Sequence, residues 1–277
     1  MMGKLGKLKE TLSNLRKYLR QGGVVYCNVT ISAPEQRLAG MTALVTGGTS
    51  GIGLAIARRF KAEGAKVIIT GRNFEKLKKV SSDIFEYTVL DISDVENINE
   101  NMKRVISKFG FIDIFVNNAG IFESASWEQI TPNMYDKVLN TNTRGLFFMC
   151  QEEGKYFVST NRHGKIINIC SVAGIKSGFD PYSISKWGSV CITKGFAKEM
   201  VKHNVIVNGI APGNVVTNIH DGVRGKDINN NAYIDSHLTK RYTLVEEIAE
   251  TAAMLASNAS NNILGQVITV DGGWTVV

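Results

Sequence analysis

Tyr182 and Lys186 stand four residues apart in Tyr182-Ser183-Ile184-Ser185-Lys186. On a helix the phenol and the ammonium lie one above the other on one face. A phenol ordinarily titrates near ~10, too high for proton exchange at neutral pH, and a cation held against it favours the phenolate. Ser171 closes the apolar run Ile166-Ile167-Asn168-Ile169-Cys170. A strand ending there brings its hydroxyl within reach of a helix face, and the trio suits proton transfer to or from a substrate oxygen. A second group of residues handles phosphate. Thr46-Gly47-Gly48-Thr49-Ser50-Gly51-Ile52-Gly53 follows the apolar Ala43-Leu44-Val45 and leads into Leu54-Ala55-Ile56-Ala57. Strand, glycine turn and helix in that order aim backbone N–H groups and a helix N-terminus at a pyrophosphate. The spacing is Gly47-x-x-x-Gly51-x-Gly53 rather than the commoner G-x-G-x-x-G.

Alternating strands and helices must position these groups. Val- and Ile-rich runs predict strands at 42–46, 66–70, 86–90, 113–117, 165–170, 204–209 and 266–270. Such short apolar runs suit parallel strands covered on both faces. Helices are predicted at 51–63, 74–82, 94–109, 132–159, 181–202 and 244–257, with Pro132 after Thr131 as a helix start. The alternation implies an α/β, Rossmann-like, doubly wound parallel sheet of about seven strands in a single domain. Residues 211–242 break the rhythm with scattered glycines and Asn229-Asn230-Asn231. A long loop at the carboxyl edge of the sheet reads as a substrate lid.

Taken in order, Thr46 to Gly53, Asn117-Asn118-Ala119-Gly120, Asn142, Ser171, Tyr182-x-x-x-Lys186 and Pro212-Gly213 resemble the short-chain dehydrogenase/reductase pattern over roughly residues 38–277. The segment between Ser171 and Tyr182 is slightly shorter than usual there, which bears on the substrate pocket and not on the chemistry. The resemblance implies that Tyr182 is the acid/base, Lys186 supports it and bonds the nicotinamide ribose, Ser171 holds the substrate oxygen, and Asn142 holds a water beside Lys186. It implies a hydride passing between the nicotinamide and a carbonyl carbon. Cofactor contacts are expected from Gly47, Thr49, Ser50, Gly51, Ile52 and Gly53 in the turn. They are also expected from Asn118, Ala119 and Gly120, and from Pro212, Gly213, Val215 and Thr217 at the nicotinamide. Asp91 is expected at the adenine amino group, with Ile92 beside the ring.

Cofactor choice is read at the end of the second strand of this unit. An acidic residue there would bind the ribose 2′-hydroxyl of NAD. Here Val67-Ile68-Ile69-Thr70 ends in Gly71-Arg72-Asn73. Arg72 can fork onto a 2′-phosphate, so NADP(H) is favoured over NAD(H). The expected reaction interconverts a carbonyl and a secondary alcohol, on a 3-oxoacyl thioester, a sugar or polyol, or a steroid-like ketone. The competing readings are a catalytically silent dinucleotide-binding regulator and a nucleotide-sugar-modifying enzyme of the same fold.

Bulk properties narrow the class further. The net charge is +7, but Lys4, Lys7, Lys9, Arg16, Lys17 and Arg20 against Glu10 supply most of it. A nucleic-acid surface is not indicated for the remainder. Leu5, Leu8, Leu12, Leu15 and Leu19 make residues 3–20 a basic amphipathic helix. Packing on protein is favoured for it over resting on a membrane. Residues 1–37 read as an N-terminal extension, with a further strand at 24–31, and 38–277 as the catalytic domain. The four cysteines show no C-x-x-C pairing, and Cys150 and Cys170 fall in apolar runs. Buried free thiols and a cytoplasmic setting follow. The four histidines show no metal spacing and read as surface or loop residues, with His220 the one nearest the nicotinamide segment. Surplus apolar residues on 132–159 and 181–202 suggest a homodimer or homotetramer.

Overall fold

The computed structural model describes residues 24–26, 34–81, 85–123, 125–215, 230–232 and 234–276. The expected helix over 3–20 lies outside them, as do Thr217, His220 and much of the expected lid. Nine strands are described: β1 (Val24–Tyr26), β2 (Thr42–Thr46), β3 (Lys66–Gly71), β4 (Glu86–Val89), β5 (Ile114–Asn117), β6 (Gly164–Ile169), β7 (Val205–Pro212), β8 (Asn230–Ala232) and β9 (Val267–Val270). The α-helices among the described residues are α1 (Gly51–Ala62), α2 (Phe74–Ser81), α3 (Ile98–Phe109), α4 (Pro132–Leu139), α5 (Leu146–Thr160), α6 (Pro181–Met200) and α7 (Val245–Ala256).

Seven strands form one sheet in the order β4-β3-β2-β5-β6-β7-β9, and every neighbouring pair is parallel. Side chains alternate between its faces, and both faces are buried. Val45, Ile69, Val116 and Ile167 pack with Phe60 of α1 and Ile248 and Ala252 of α7. Leu44, Ile68, Phe115 and Ile166 pack on the other side with Met102 of α3, Phe157 of α5 and Ala197 of α6. The strand order reverses between β2 and β5, so the crevice at their carboxyl ends is where a ligand binds in such a sheet.

Local sequence sets the helices that matter for this crevice. Thr131 caps α4 through Met134 N–H at 3.2 Å, with Pro132 in the first turn. Asp180 caps α6 through Ser183 N–H at 3.0 Å, with Pro181 in the first turn. The single helix expected over 132–159 is interrupted by a π-helical turn at Asn140–Gly145. Such a turn shifts the register of the following helix and turns Asn142 inward.

Glu63, fully buried at the end of α1, anchors the start of the domain. Its carboxylate accepts from the backbone N–H groups of Glu35 and Arg37, both at 3.1 Å, and pairs with Arg37 and with Arg59 at 2.7 Å. Burial alone would raise its pKa, but the Arg37 side chain and the two N–H groups outweigh burial and hold it at about 2. A folded-state value below the unfolded one stabilises above the unfolded pKa, and that stability is lost as pH falls towards about 2. Melts from pH 7 to 2 are expected to show this loss, and Glu63→Gln to remove about 3–5 kcal/mol at neutral pH. Equal melting temperatures for the variant and the native chain at pH 7 would refute the anchor.

A second, two-stranded sheet joins the chain's first described segment to the loop after β7. β1 and β8 run antiparallel, with Val24 opposite Ala232, Val25 opposite Asn231 and Tyr26 opposite Asn230.

Candidate active site

The glycine turn between β2 and α1 is clasped from the β5 side. Asn118 Nδ2 donates to the carbonyls of Thr46 (3.0 Å) and Gly47 (3.1 Å). Thr46 Oγ1 accepts from the N–H groups of Asn118 and Ala119, each at 3.0 Å. Gly47 adopts φ +64°, a left-handed conformation that favours glycine. A Cβ on Gly53 would stand 2.4 Å from both Asn118 Nδ2 and the Gly47 carbonyl, so nothing larger fits there. Ser50 is exposed and precedes α1 with no side-chain cap bond, and the first-turn N–H groups of Gly51 and Ile52 have no partner within the helix. The turn holds Thr49 against Gly71, at the tip of β3.

The adenosine end follows at the tips of β3 and β4. Arg72 is exposed directly after β3. Asp91 accepts from the Ser93 N–H (2.9 Å) and hydroxyl (2.7 Å) through one carboxylate oxygen, which leaves the other for a ligand. Ile92 is buried beside it. A cavity of about 490 Å3, lined partly by Phe74, Leu90, Asp91 and Arg104, opens at this β4 edge and not at Tyr182.

The proton-transfer residues come together at β6 and α6. Lys186 is buried, and its Nζ donates to the Ile169 carbonyl at 2.9 Å while lying 5.6 Å from the centroid of the Tyr182 ring. Ser171 starts a 3-10 turn, Val172–Gly174, whose Gly174 rests on the Lys186 carbonyl. Its Oγ accepts from the Ala173 N–H at 3.1 Å, and its own proton remains for a substrate oxygen. Phe122, 62% exposed, packs edge-on to the Tyr182 ring at 4.9 Å and forms an apolar wall beside the phenol. Gly120 sits over this group, 3.9 Å from Lys186 Nζ to the position a Cβ would take.

Asn142 is buried, whereas its neighbour Asn140 is exposed. The Asn142 amide accepts from Ile121 N–H (2.9 Å) and donates to the Ile121 carbonyl (2.8 Å) and to Ser185 Oγ (3.1 Å). It therefore stitches the turn after β5 to α6. Asn117 lies deeper, donating to Asn168 Oδ1 (3.0 Å) and Glu153 Oε2 (2.9 Å), which ties β5 to β6 and α5. Burial pushes the Glu153 carboxyl up to about 8, so it is neutral at physiological pH.

At the far side, Gly213 N–H donates to the Val270 carbonyl at 3.0 Å and Val215 bridges Thr243, which places Pro212, Gly213 and Val215 in one short arch. Thr217 lies outside the described residues. His237 lies in a loop, as expected, and is fully buried there, its Nε2 accepting the Asn214 N–H at 3.1 Å. The sequence signal for this was the pair Gly272-Gly273, which takes positive φ and gives His237 and Leu238 room.

Comparisons with known proteins agree with this geometry. A family model described as enoyl-(acyl carrier protein) reductase matches residues 47–275. The chain is 34% identical over 248 residues to gluconate 5-dehydrogenase of Gluconobacter oxydans, covering 86% of this chain and 96% of the relative. It is 35% identical over 248 residues to 3-oxoacyl-[acyl-carrier-protein] reductase of Thermotoga maritima, covering 87% of this chain and all of that one. A crystal structure of gluconate 5-dehydrogenase from Burkholderia cenocepacia, in complex with NADP and tartrate, superposes with a TM-score of 0.78 at 31% identity. That match covers 88% of this chain and 99% of the other. With the sheet order, the clasped glycine turn and the Tyr182–Lys186 pair on one helix face, these matches place the chain in the short-chain dehydrogenase/reductase family.

Proposed function

We propose that this chain is an NADP(H)-dependent oxidoreductase that interconverts a carbonyl and a secondary alcohol, with Tyr182 as its acid/base. The observation that carries the reading is Lys186, buried, held by Ile169 and set beside the Tyr182 ring. The cofactor fits the residues present. Ser50, Gly51 and Ile52 supply donors for the pyrophosphate, Arg72 a cation for the 2′-phosphate, and Asp91 a free carboxylate oxygen for the adenine. When bound, NADP(H) supplies or accepts the hydride. In our reading Ser171 donates to the substrate oxygen, and Tyr182 gives that oxygen its proton in reduction and takes it in oxidation. Lys186 neutralises charge at the phenol and bonds the ribose. The Asn142 side-chain amide fixes the distance between the 118–121 turn and α6, and in our reading the residue holds a water beside Lys186.

Relatives act on a sugar acid and on a 3-oxoacyl chain, by their names. The apolar Phe122 wall beside Tyr182 favours a ketone flanked by apolar surface. A screen of NADPH oxidation against 3-oxoacyl thioesters, keto-sugar acids and steroid ketones tests the activity. Turnover of none of them would favour a dinucleotide-binding regulator. Arg72→Ala is expected to weaken NADPH by about 1.5–3 kcal/mol and leave NADH nearly unchanged, as for a lost bond to a charged group. kcat/KM with each cofactor decides this, and a native preference for NADH would end it.

Residues 1–37 form, in our reading, an extension to a catalytic domain at 38–277. The relatives align with about 87% of this chain and nearly all of their own length, which supports that boundary. The surplus apolar residues of the two long helices divide. Leu146, Met149 and Val190 face inward, while Phe147 and Trp187 are exposed, and Phe147 packs on Phe148 and Phe196. The outward set supports pairing with a second copy of this chain, and a monomer by light scattering at micromolar concentration would eliminate it. No helix among the described residues is long and apolar enough to cross a membrane. The free thiols of Cys150, Cys170 and Cys191 support a reducing, cytoplasmic setting, which cell fractionation tests.

A further inference from the structure

His237 belongs to no motif in the pattern above, yet it is as buried as any core residue. Its Nε2 lies 3.1 Å from the Asn214 N–H and is the acceptor for it. An imidazole that accepts at Nε2 carries its one proton at Nδ1. Nδ1 is buried, and its proton points towards the Arg241 backbone without reaching full hydrogen-bond geometry. Trp274, Gly213 and Gly272 lie against the ring. Trp274 stands 5.7 Å away between ring centroids. A Cβ on Gly213 would come within 2.9 Å of Nε2, and one on Gly272 within 2.9 Å of Nδ1. Among the described contacts, Nε2 is the one acceptor for the Asn214 N–H.

The bond it makes is placed at a sensitive point. Asn214 follows Pro212-Gly213 at the end of β7, and its carbonyl accepts from Thr243 N–H at 2.9 Å. Asn214 Nδ2 also donates to Ser236 Oγ at 3.2 Å. Among the described residues, three hydrogen bonds fasten Asn214 of the 212–215 arch to the 234–243 loop, and of these three the His237 bond is the one made by a titratable group.

We propose that His237 is a positioning residue for the 212–215 arch, holding Asn214 through an unprotonated Nε2, so that uptake of a proton there loosens the enzyme's hold on the nicotinamide end of the cofactor. This rests on the reading above that the arch closes on the nicotinamide. When Nε2 binds a proton it becomes a donor facing another donor, the Asn214 N–H, and the contact turns repulsive. Several charged groups face the ring. Asp271 in the turn after β9 and Glu247 of α7 favour the protonated form, and Arg241 of its own loop opposes it. Lys176 reaches the same pocket through Trp274, 4.6 Å from that ring. Burial is the largest influence and lowers the pKa of His237 below its ordinary 6.5, with a backbone bond towards Arg241 opposing. The neutral acceptor is thus the form present at neutral pH. It is lost as pH falls through that lowered value, and the hold weakens on the acid side.

The test compares two probes on the full chain between pH 5 and 7.5. One is NADP+, which survives acid. The other is 2′-phospho-ADP-ribose, which carries the same titrating phosphates but no nicotinamide. The native protein is expected to lose about tenfold in NADP+ affinity relative to the second probe as the pH falls, the size of one hydrogen bond. His237→Gln keeps an acceptor at the same reach and does not titrate, so its ratio should stay flat and high. His237→Leu should show the lowered ratio at every pH. A flat ratio in the native protein overturns the proposal, and that measurement alone decides it if a variant does not fold. Equal loss of both probes in His237→Leu would show that the residue acts through the whole fold, and would also overturn it. Failure of either probe to bind at pH 7.5 would instead sink the cofactor reading on which the proposal stands.

Discussion

Tyr182→Phe is expected to lower kcat about 1,000-fold, within the range that a positioned acid/base contributes, while the affinity for NADPH changes less than about threefold. The phenol is half-buried on α6, with Phe122 against one edge and Lys186 beneath. Phenylalanine keeps the ring, its packing on Phe122 and the helix, and removes only the oxygen. Among the described residues, Lys186 is the titratable side chain set against the Tyr182 ring, and it is needed there as the cation. Steady-state turnover with any accepted carbonyl, read beside fluorescence titration of NADPH, measures both quantities. Retention of a tenth or more of native kcat would overturn the acid/base assignment.

Lys186→Ala is expected to damage two quantities together: kcat by about 100-fold or more, and NADPH affinity by about tenfold. The ammonium is buried, and its one described hydrogen bond goes to the Ile169 carbonyl at 2.9 Å. Its remaining donors are free for the ribose and the charge is free for the phenol. The truncation also leaves the Ile169 carbonyl without its donor, so some loss of stability is expected. Lys186→Met separates these effects, because it fills the space without a charge. If both variants lost activity while NADPH binding stayed native, the ribose contact would be wrong. If only melting temperature fell, the residue would be structural.

Most of the scaffold was legible because it rests on local pattern. β2 at 42–46 coincides with its expected span, and the other six strands of the large sheet fall close to theirs. Short Val/Ile runs covered on both faces leave little choice of state. The helix over 132–159 was legible as a helix but not as a broken one. The π-turn at 140–145 exists alongside the bonds of Asn142 to Ile121, 21 residues away, which no local periodicity records. The outward and inward apolar residues of α5 and α6 were visible as a surplus, yet their division depends on which face meets the sheet. Residues 211–242 carry no periodic signal, so nothing local marks His237 as buried; Gly213, Gly272 and Trp274, distant in sequence, enclose it. Glu153 was silent for another reason. A charged residue in a helix reads as solvated, and the neutral form appears only once folding buries the carboxyl, against the opposing bond from Asn117.

The β1–β8 ladder has a consequence for how the chain comes into being. Its two strands are separated by about 200 residues, and the whole seven-stranded sheet apart from β9 is encoded between them. At the usual pace of synthesis, residues 24–26 leave the ribosome ~10–40 s before their partner exists. By then β2, α1 and β3 can already have folded as a unit whose contacts are close in sequence. The N-terminal strand is thus translated first and docked among the last, and its pairing reports that the chain has been made at least as far as residue 232. An interrupted polypeptide ending before β8 keeps that strand's N–H and C=O groups open to any other extended chain.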